Sequence, residues 1–231
     1  KYQKCNYNIL KKNSIIQLSL LFILFSQVFI IFNIKPWKNA EKDHALIDWD
    51  VTSYYSYLPA IFIYKDLKFN FLETSKINFR KKHQFWPEEA PNGNKVIKTT
   101  MGMSILFSPF FFLAHTYALF DNNFHANGFS MPYEICLTFS SIFYLIIGLY
   151  FLSKVLVKLY DKQIVSILLF LVFFGTNLFF YCTTEPCMSH AYTFSFASIL
   201  MFLIIKIFES PNLKNSFLIG LTLGILFLIR P

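Results

Sequence analysis

Charge and glycine are scarce in this chain of 231 residues: charged side chains make up 15% of it, and glycines number 7. A folded soluble surface carries closer to a quarter charged residues, so an ordinary water-soluble domain is excluded. The glycines are scattered, and no Gly/Ser-rich linker divides the chain. No phosphate-cradling Gly-x-x-x-x-Gly-Lys, no Gly-x-Gly-x-x-Gly, no Gly-x-Ser-x-Gly and no His-Glu-x-x-His occurs. Without them soluble nucleotide chemistry has no footing. Cysteines number 4. Cys5 and Cys136 stand alone, whereas Cys182 and Cys187 flank one short loop and either pair in an oxidising compartment or remain thiols. No Cys/His set has structural-zinc spacing.

Apolar residues are what the chain has in plenty. Hydrophobic residues make up 55% and aromatics 20%, with a mean hydropathy of +0.46. A bilayer crossing takes about 20 apolar residues as a helix. The pattern predicts spans at about 14–34, 133–153, 164–182, 190–208 and 216–230. The expected fold is all-α: a polytopic transmembrane helix bundle, one membrane domain over 1–231, with a large outer loop at 35–132. The start at Lys1 and the stop at Arg230-Pro231 inside an apolar pattern lead us to expect an N-terminal fragment of a longer protein.

The net charge of +8 sits where a membrane protein would hold it. Lys1, Lys4, Lys11 and Lys12 precede the first span; Lys154, Lys158 and Lys162 form a second basic site, and Lys206 and Lys214 a third. The loop 182–190 has no Lys or Arg. Basic loops stay on the cytoplasmic side and meet anionic headgroups. No basic stripe interleaved with aromatics lies in a soluble stretch, so nucleic acid is not an expected partner. All three basic sites share one side only if the apolar segment 101–120 does not cross. We therefore expect 101–120 to be a helix that lies in the interface or re-enters, with a plain spanning helix as the alternative, and the aromatic stretch 54–64 to be a helix at the membrane surface, both in the outer loop. Asp50, Glu185, His190 and Arg230 then share the outer face.

Asp50 leads the candidates for chemistry. It sits just beyond the first span in Asp48-Trp49-Asp50-Val51-Thr52-Ser53-Tyr54-Tyr55. A carboxylate close to aromatic rings at a membrane surface loses water, which strengthens it as a base. Asp48, Trp49, Tyr54 and Tyr55 flank it as candidate substrate contacts. Glu185 stands between two apolar segments, where an ionisable group is costly. It either holds a sugar hydroxyl or a divalent cation such as Mg or Mn, or is the exposed acid of a Glu-Pro turn. His190 either donates to a phosphate or belongs to the same turn. Arg230 closes an apolar run and is either a phosphate partner or a snorkelling anchor.

The arrangement resembles the GT-C superfamily of membrane glycosyltransferases. More narrowly it is similar to bacterial proteins related to the protein O-mannosyltransferase and aminoarabinose transferase group, glycosyltransferase family 39. The residues carrying the resemblance are Trp49-Asp50 with Tyr54-Tyr55-x-Tyr57-Leu58-Pro59, and Gly102-Met103 through Pro109-Phe110-Phe111. Gly175-Thr176-Asn177, Glu185 with Met188-Ser189-His190, and Arg230-Pro231 complete it. The resemblance implies that Asp50 is the catalytic base and that Arg230 meets the donor phosphate; Asp48 is the sole nearby second acid. It implies an inverting transferase moving a sugar from a polyprenyl-phosphate donor to an acceptor hydroxyl, at the outer face of a bacterial plasma membrane. The rival expectation is a multi-span transporter or flippase for lipid-linked saccharides. That would call for ionisable residues at mid-membrane depth and usually for inverted repeats, and no repeat is visible.

Overall fold

The computed structural model describes residues 2–41, 46–71 and 87–230, with side chains described from residue 15 onward within those stretches and not at 39–41. Lys1, the Lys4, Lys11 and Lys12 side chains, the segments 42–45 and 72–86, and Pro231 lie outside the described residues. The protein is mostly helical. By length and composition four helices can cross a membrane, and a bent pair makes a fifth, which marks a membrane-embedded protein. Within the single membrane domain expected from sequence, the chain gathers into two compact units.

The first unit comprises Lys1–Ile34, Ile142–Thr184 and His190–Gly224. Helix α1 (Tyr2–Ile34) packs on α6 (Lys162–Phe174) and on α7 (Asn177–Thr183). Polar groups buried among apolar helices need partners, and two buried contacts between distant helices supply some of them. The Ser19 and Ser166 hydroxyls bond each other, and the buried Gln27 amide donates to the Cys182 carbonyl at 2.5 Å. The span expected at 164–182 is broken, with α6 and α7 meeting at 61°. Gly175 ends α6, and the Thr176 side chain caps α7 by accepting from the Leu178 amide at 3.2 Å. Nearby, the C-terminal part of α5 (Met131–Leu156) lies against α8 (His190–Glu209). Gly148 permits that approach: a methyl there would sit 2.9 Å from the Ser195 Cα. Tyr144 packs on Tyr192, and Lys158 pairs with Glu209.

The second unit comprises Lys35–Ser141, Glu185–Ser189 and Ile225–Pro231. The aromatic stretch expected as one surface helix at 54–64 forms two short helices, α2 (Trp49–Tyr55) and α3 (Tyr57–Phe62). The break follows from Pro59, which has no amide to bond the Tyr55 carbonyl four residues earlier. Ser56 fills the joint, its hydroxyl donating to the Thr52 carbonyl at 2.6 Å. The tyrosines are tethers. Tyr55 donates to the Gly128 carbonyl at 2.5 Å, Tyr57 to that of Thr99 at 2.8 Å and Tyr64 to that of Asn127 at 3.0 Å.

The helix expected at 101–120 is α4 (Gly102–Phe120), and by length and composition it is one of the four that can cross a membrane. Pro109 lies inside it. The amide missing at Pro109 would have bonded the Ile105 carbonyl, and the Ser108 hydroxyl takes its place at 2.7 Å. The segment between α3 and α4 also holds a two-stranded hairpin absent from the sequence expectation, β1 (Glu88–Glu89) against β2 (Lys95–Val96). Gly93 turns it at φ +76°, a backbone region that favours glycine. The last helix, α9 (Leu213–Ile229), ends in this unit.

Candidate functional site

The N-terminal turn of α4 organises the site. The Ser104 hydroxyl donates to the Tyr54 carbonyl and so holds the last turn of α2. On the same turn Gly102 faces the end of α9: a methyl on Gly102 would lie 2.8 Å from the Ile229 amide nitrogen and closer still to the Leu228 carbonyl. No residue with a side chain fits that approach. Thr100 adds a hydroxyl that donates to the same Leu228 carbonyl. The last carbonyls of a helix have no partner inside it, so this contact both satisfies α9 and fixes the backbone that leads into Arg230.

Asp50 and Tyr54 are one turn apart on α2, and so share a face. Asp50 is exposed, whereas Tyr54 is 8% exposed. The Tyr54 hydroxyl shares a hydrogen bond with Ser189 and lies within electrostatic reach of both Asp50 and Arg230. Its pKa is raised, first by burial and then by the Asp50 charge; Ser189 and Arg230 pull the other way. The net result is a neutral phenol within electrostatic reach of an exposed carboxylate and an exposed guanidinium. Ser189 comes from the loop 185–189, where the Met188 amide bonds the Glu185 carbonyl at 3.1 Å.

The structure thus brings together Asp50, Tyr54 and Arg230 of the residues expected from sequence, and adds Ser189. Four others take different places. Asp48 is buried and is the N-cap of α2, its side chain accepting from the Trp49 amide at 2.9 Å. The cap role removes it from the role of second acid beside Asp50. Tyr55, expected at the substrate, is fully buried, its ring edge-on to Phe107, Phe111 and Phe129. Its ring is needed by the core, so it is corrected to a packing residue. His190 belongs to the other unit, where its ring stacks on Tyr181 with centroids 3.5 Å apart. Glu185 is an exposed turn residue.

Trp49 is 58% exposed and starts α2 at φ +47°. A bulky residue in the left-handed region is strained, and such strain gathers at functional positions. It precedes Asp50 directly. Ser189, Gly102 and Thr100 were not singled out from the sequence as site residues, because their roles come from contacts with Tyr54 and Leu228, far away in the chain.

A divalent cation was the cofactor expected from the sequence. Among the described residues no three His, Cys, Asp or Glu side chains gather as a metal site. No step below runs through a metal.

No protein-family model, curated protein or solved structure matches this chain.

Proposed function

We propose that this protein is an inverting glycosyltransferase of the GT-C type, which moves a sugar from a polyprenyl-phosphate donor to an acceptor hydroxyl at the outer face of a bacterial plasma membrane. One observation carries the reading: the Tyr54 hydroxyl, bonded to Ser189, lies within electrostatic reach of an exposed carboxylate at Asp50 and an exposed guanidinium at Arg230. Displacement at an anomeric carbon needs a base on one reactant and a counter-charge on the leaving group.

In this reaction Asp50 takes the proton of the acceptor hydroxyl. The freed oxygen attacks the anomeric carbon opposite the lipid phosphate, and the carbon–oxygen bond to the phosphate breaks. The bond's electron pair leaves with the polyprenyl phosphate, and the configuration inverts. Arg230 meets the phosphate charge. The proton passes from Asp50 to water. Tyr54 and Ser189 offer hydroxyls to the sugar between the two charges.

The test is transfer of radiolabelled sugar from polyprenyl-phosphate donors by the protein in membranes, wild type beside Asp50→Asn at matched expression. We expect transfer to fall by about 10²- to 10⁴-fold in the variant. Equal transfer in the two would remove Asp50 from the chemistry. No transfer in either, across several donors, would shift the reading to a transporter of lipid-linked saccharides.

A further inference from the structure

The dipeptide Asn-Gly occurs twice, at Asn92-Gly93 and at Asn127-Gly128, both in the second unit. In such a pair the glycine amide nitrogen lies one ring closure away from the side-chain carbonyl carbon of the asparagine. Glycine has no side chain to shield that nitrogen and leaves the backbone free to turn. Closure asks for two freedoms. The asparagine side chain must swing its carbonyl carbon onto the nitrogen, and the nitrogen must give up its hydrogen bond and its proton. The two sites differ in both.

Asn127-Gly128 is held at each group that closure has to move. The Asn127 Oδ1 accepts from the Phe129 amide at 2.9 Å, and the Asn127 carbonyl from the Tyr64 hydroxyl at 3.0 Å. The Gly128 carbonyl accepts from Tyr55 at 2.5 Å, and the Gly128 amide bonds the Tyr133 hydroxyl. Gly128 is buried, and a β-carbon on it would lie 2.8 Å from the Pro59 Cβ. The ring has no room to form without undoing the packing of Tyr55.

Asn92-Gly93 is exposed, in the turn that joins β1 to β2. The Gly93 amide donates to the Ala90 carbonyl at 2.8 Å, and the Asn92 Oδ1 accepts from the Asn94 amide at 3.1 Å. Both are bonds within the turn itself. The ladder behind them pairs only Glu88 with Val96 and Glu89 with Lys95. So short an exposed hairpin opens at little cost, and opening frees the Gly93 nitrogen. Apart from its chain neighbours, no heavy atom among the described residues lies within 4 Å of where a β-carbon on Gly93 would be. Nothing there obstructs the ring.

We propose that Asn92 is a site of spontaneous deamidation through its own backbone, and that Asn127 is protected by the fold. The Gly93 amide loses its proton to water and its nitrogen attacks the Asn92 Cγ. The new carbon–nitrogen bond closes a succinimide, the Cγ–Nδ2 bond breaks, and Nδ2 leaves as ammonia with a proton from water. Water then opens the ring at either carbonyl, giving aspartate or isoaspartate. One water enters and one ammonia leaves, with no change of oxidation state. The product sets a carboxylate in the turn, and isoaspartate lengthens the backbone where the ladder closes. The site shares no residue with the transferase reading.

The test is a time course of the purified protein in detergent at mildly alkaline pH, with peptide mass spectrometry after digestion. The Asn92 peptide should gain the mass of an amide-to-acid change and resolve into aspartate and isoaspartate forms. The Asn127 peptide should convert more slowly by about tenfold or more. In the same chain unfolded by denaturant, the two sites should convert at similar rates. Equal rates at the two sites in the folded protein would overturn the proposal. So would conversion of Asn92 in the folded protein at about a hundredth or less of its unfolded rate, since the turn would then be closed. Aspartate formed without isoaspartate would overturn the ring-closing step.

Discussion

Gly102 and Leu228 touch backbone to backbone: the Cα of Gly102 lies so near the Leu228 carbonyl that no β-carbon fits between them. Through that contact the start of α4 sets where α9 ends, and hence where the backbone of Arg230 begins. A glycine at a helix start, unremarked by periodicity, therefore governs the position of a charged residue far along the chain.

Gly102→Ala should push the two backbones apart. We expect a loss of about 1–3 kcal/mol of stability, the range for overpacking, and a fall in transfer with it. Thermal unfolding in detergent reads the first and the sugar-transfer assay the second. An unchanged unfolding midpoint would contradict the close approach.

Asp48 and Asp50 should separate cleanly. Asp48→Ala removes the cap of α2 and should cost about 1 kcal/mol, with transfer reduced only as far as folding is. Asp50→Asn should leave the unfolding midpoint close to wild type and lower transfer by about 10²- to 10⁴-fold. Matching losses of stability in the two variants would mean that both aspartates are structural.

Trp49 is held at φ +47°. Glycine accepts that backbone and alanine does not, so Trp49→Gly should be more stable than Trp49→Ala by about 1 kcal/mol. Both lose the same exposed indole, which cancels in the comparison. Unfolding midpoints for the pair decide it, and alanine equal to glycine would mean that no strain resides there.

Stability should fall at alkaline pH. Burial raises the Tyr55 hydroxyl well above its ordinary pKa, and Tyr54 is raised too, chiefly by burial. Above about pH 10 the unfolded chain gives up these protons while the folded chain keeps them. The folded state then binds more protons than the unfolded one, and the stability present below pH 10 is lost as pH rises. Tyr55→Phe should cost about 1–2 kcal/mol at pH 8, through loss of the hydroxyl's bond to Gly128. Its stability should then change less than wild type above pH 10, so that the two curves converge. Denaturant unfolding at pH 8 to 11 tests this, and parallel curves would refute it.

The long apolar helices were legible because hydropathy is additive along a chain. A run of about 20 apolar residues makes the same demand on a bilayer whatever lies elsewhere. Asp50 was legible for a related reason: a charge just beyond such a run is conspicuous. The break at Gly175-Thr176 and the joint at Ser56 were less so, because a hydropathy window averages over the missing hydrogen bonds that interrupt a helix. Tyr54 and Tyr55 show what periodicity cannot resolve. They are adjacent and identical in type, yet one lies by Asp50 and Ser189 and the other is buried among Phe107, Phe111 and Phe129.

By itself, then, the amino-acid sequence determined that this is a membrane-embedded helical protein, with a carboxylate just past its first apolar helix. Only the tertiary structure decided that Asp48 caps a helix, that Tyr55 is core, and that the Tyr54 hydroxyl meets Ser189 within electrostatic reach of Arg230. The physical reason is range. Hydropathy and helix formation act through neighbours in the chain, whereas a site is built from contacts such as Gly102 with Leu228 and Tyr54 with Ser189, which exist only once distant segments have packed.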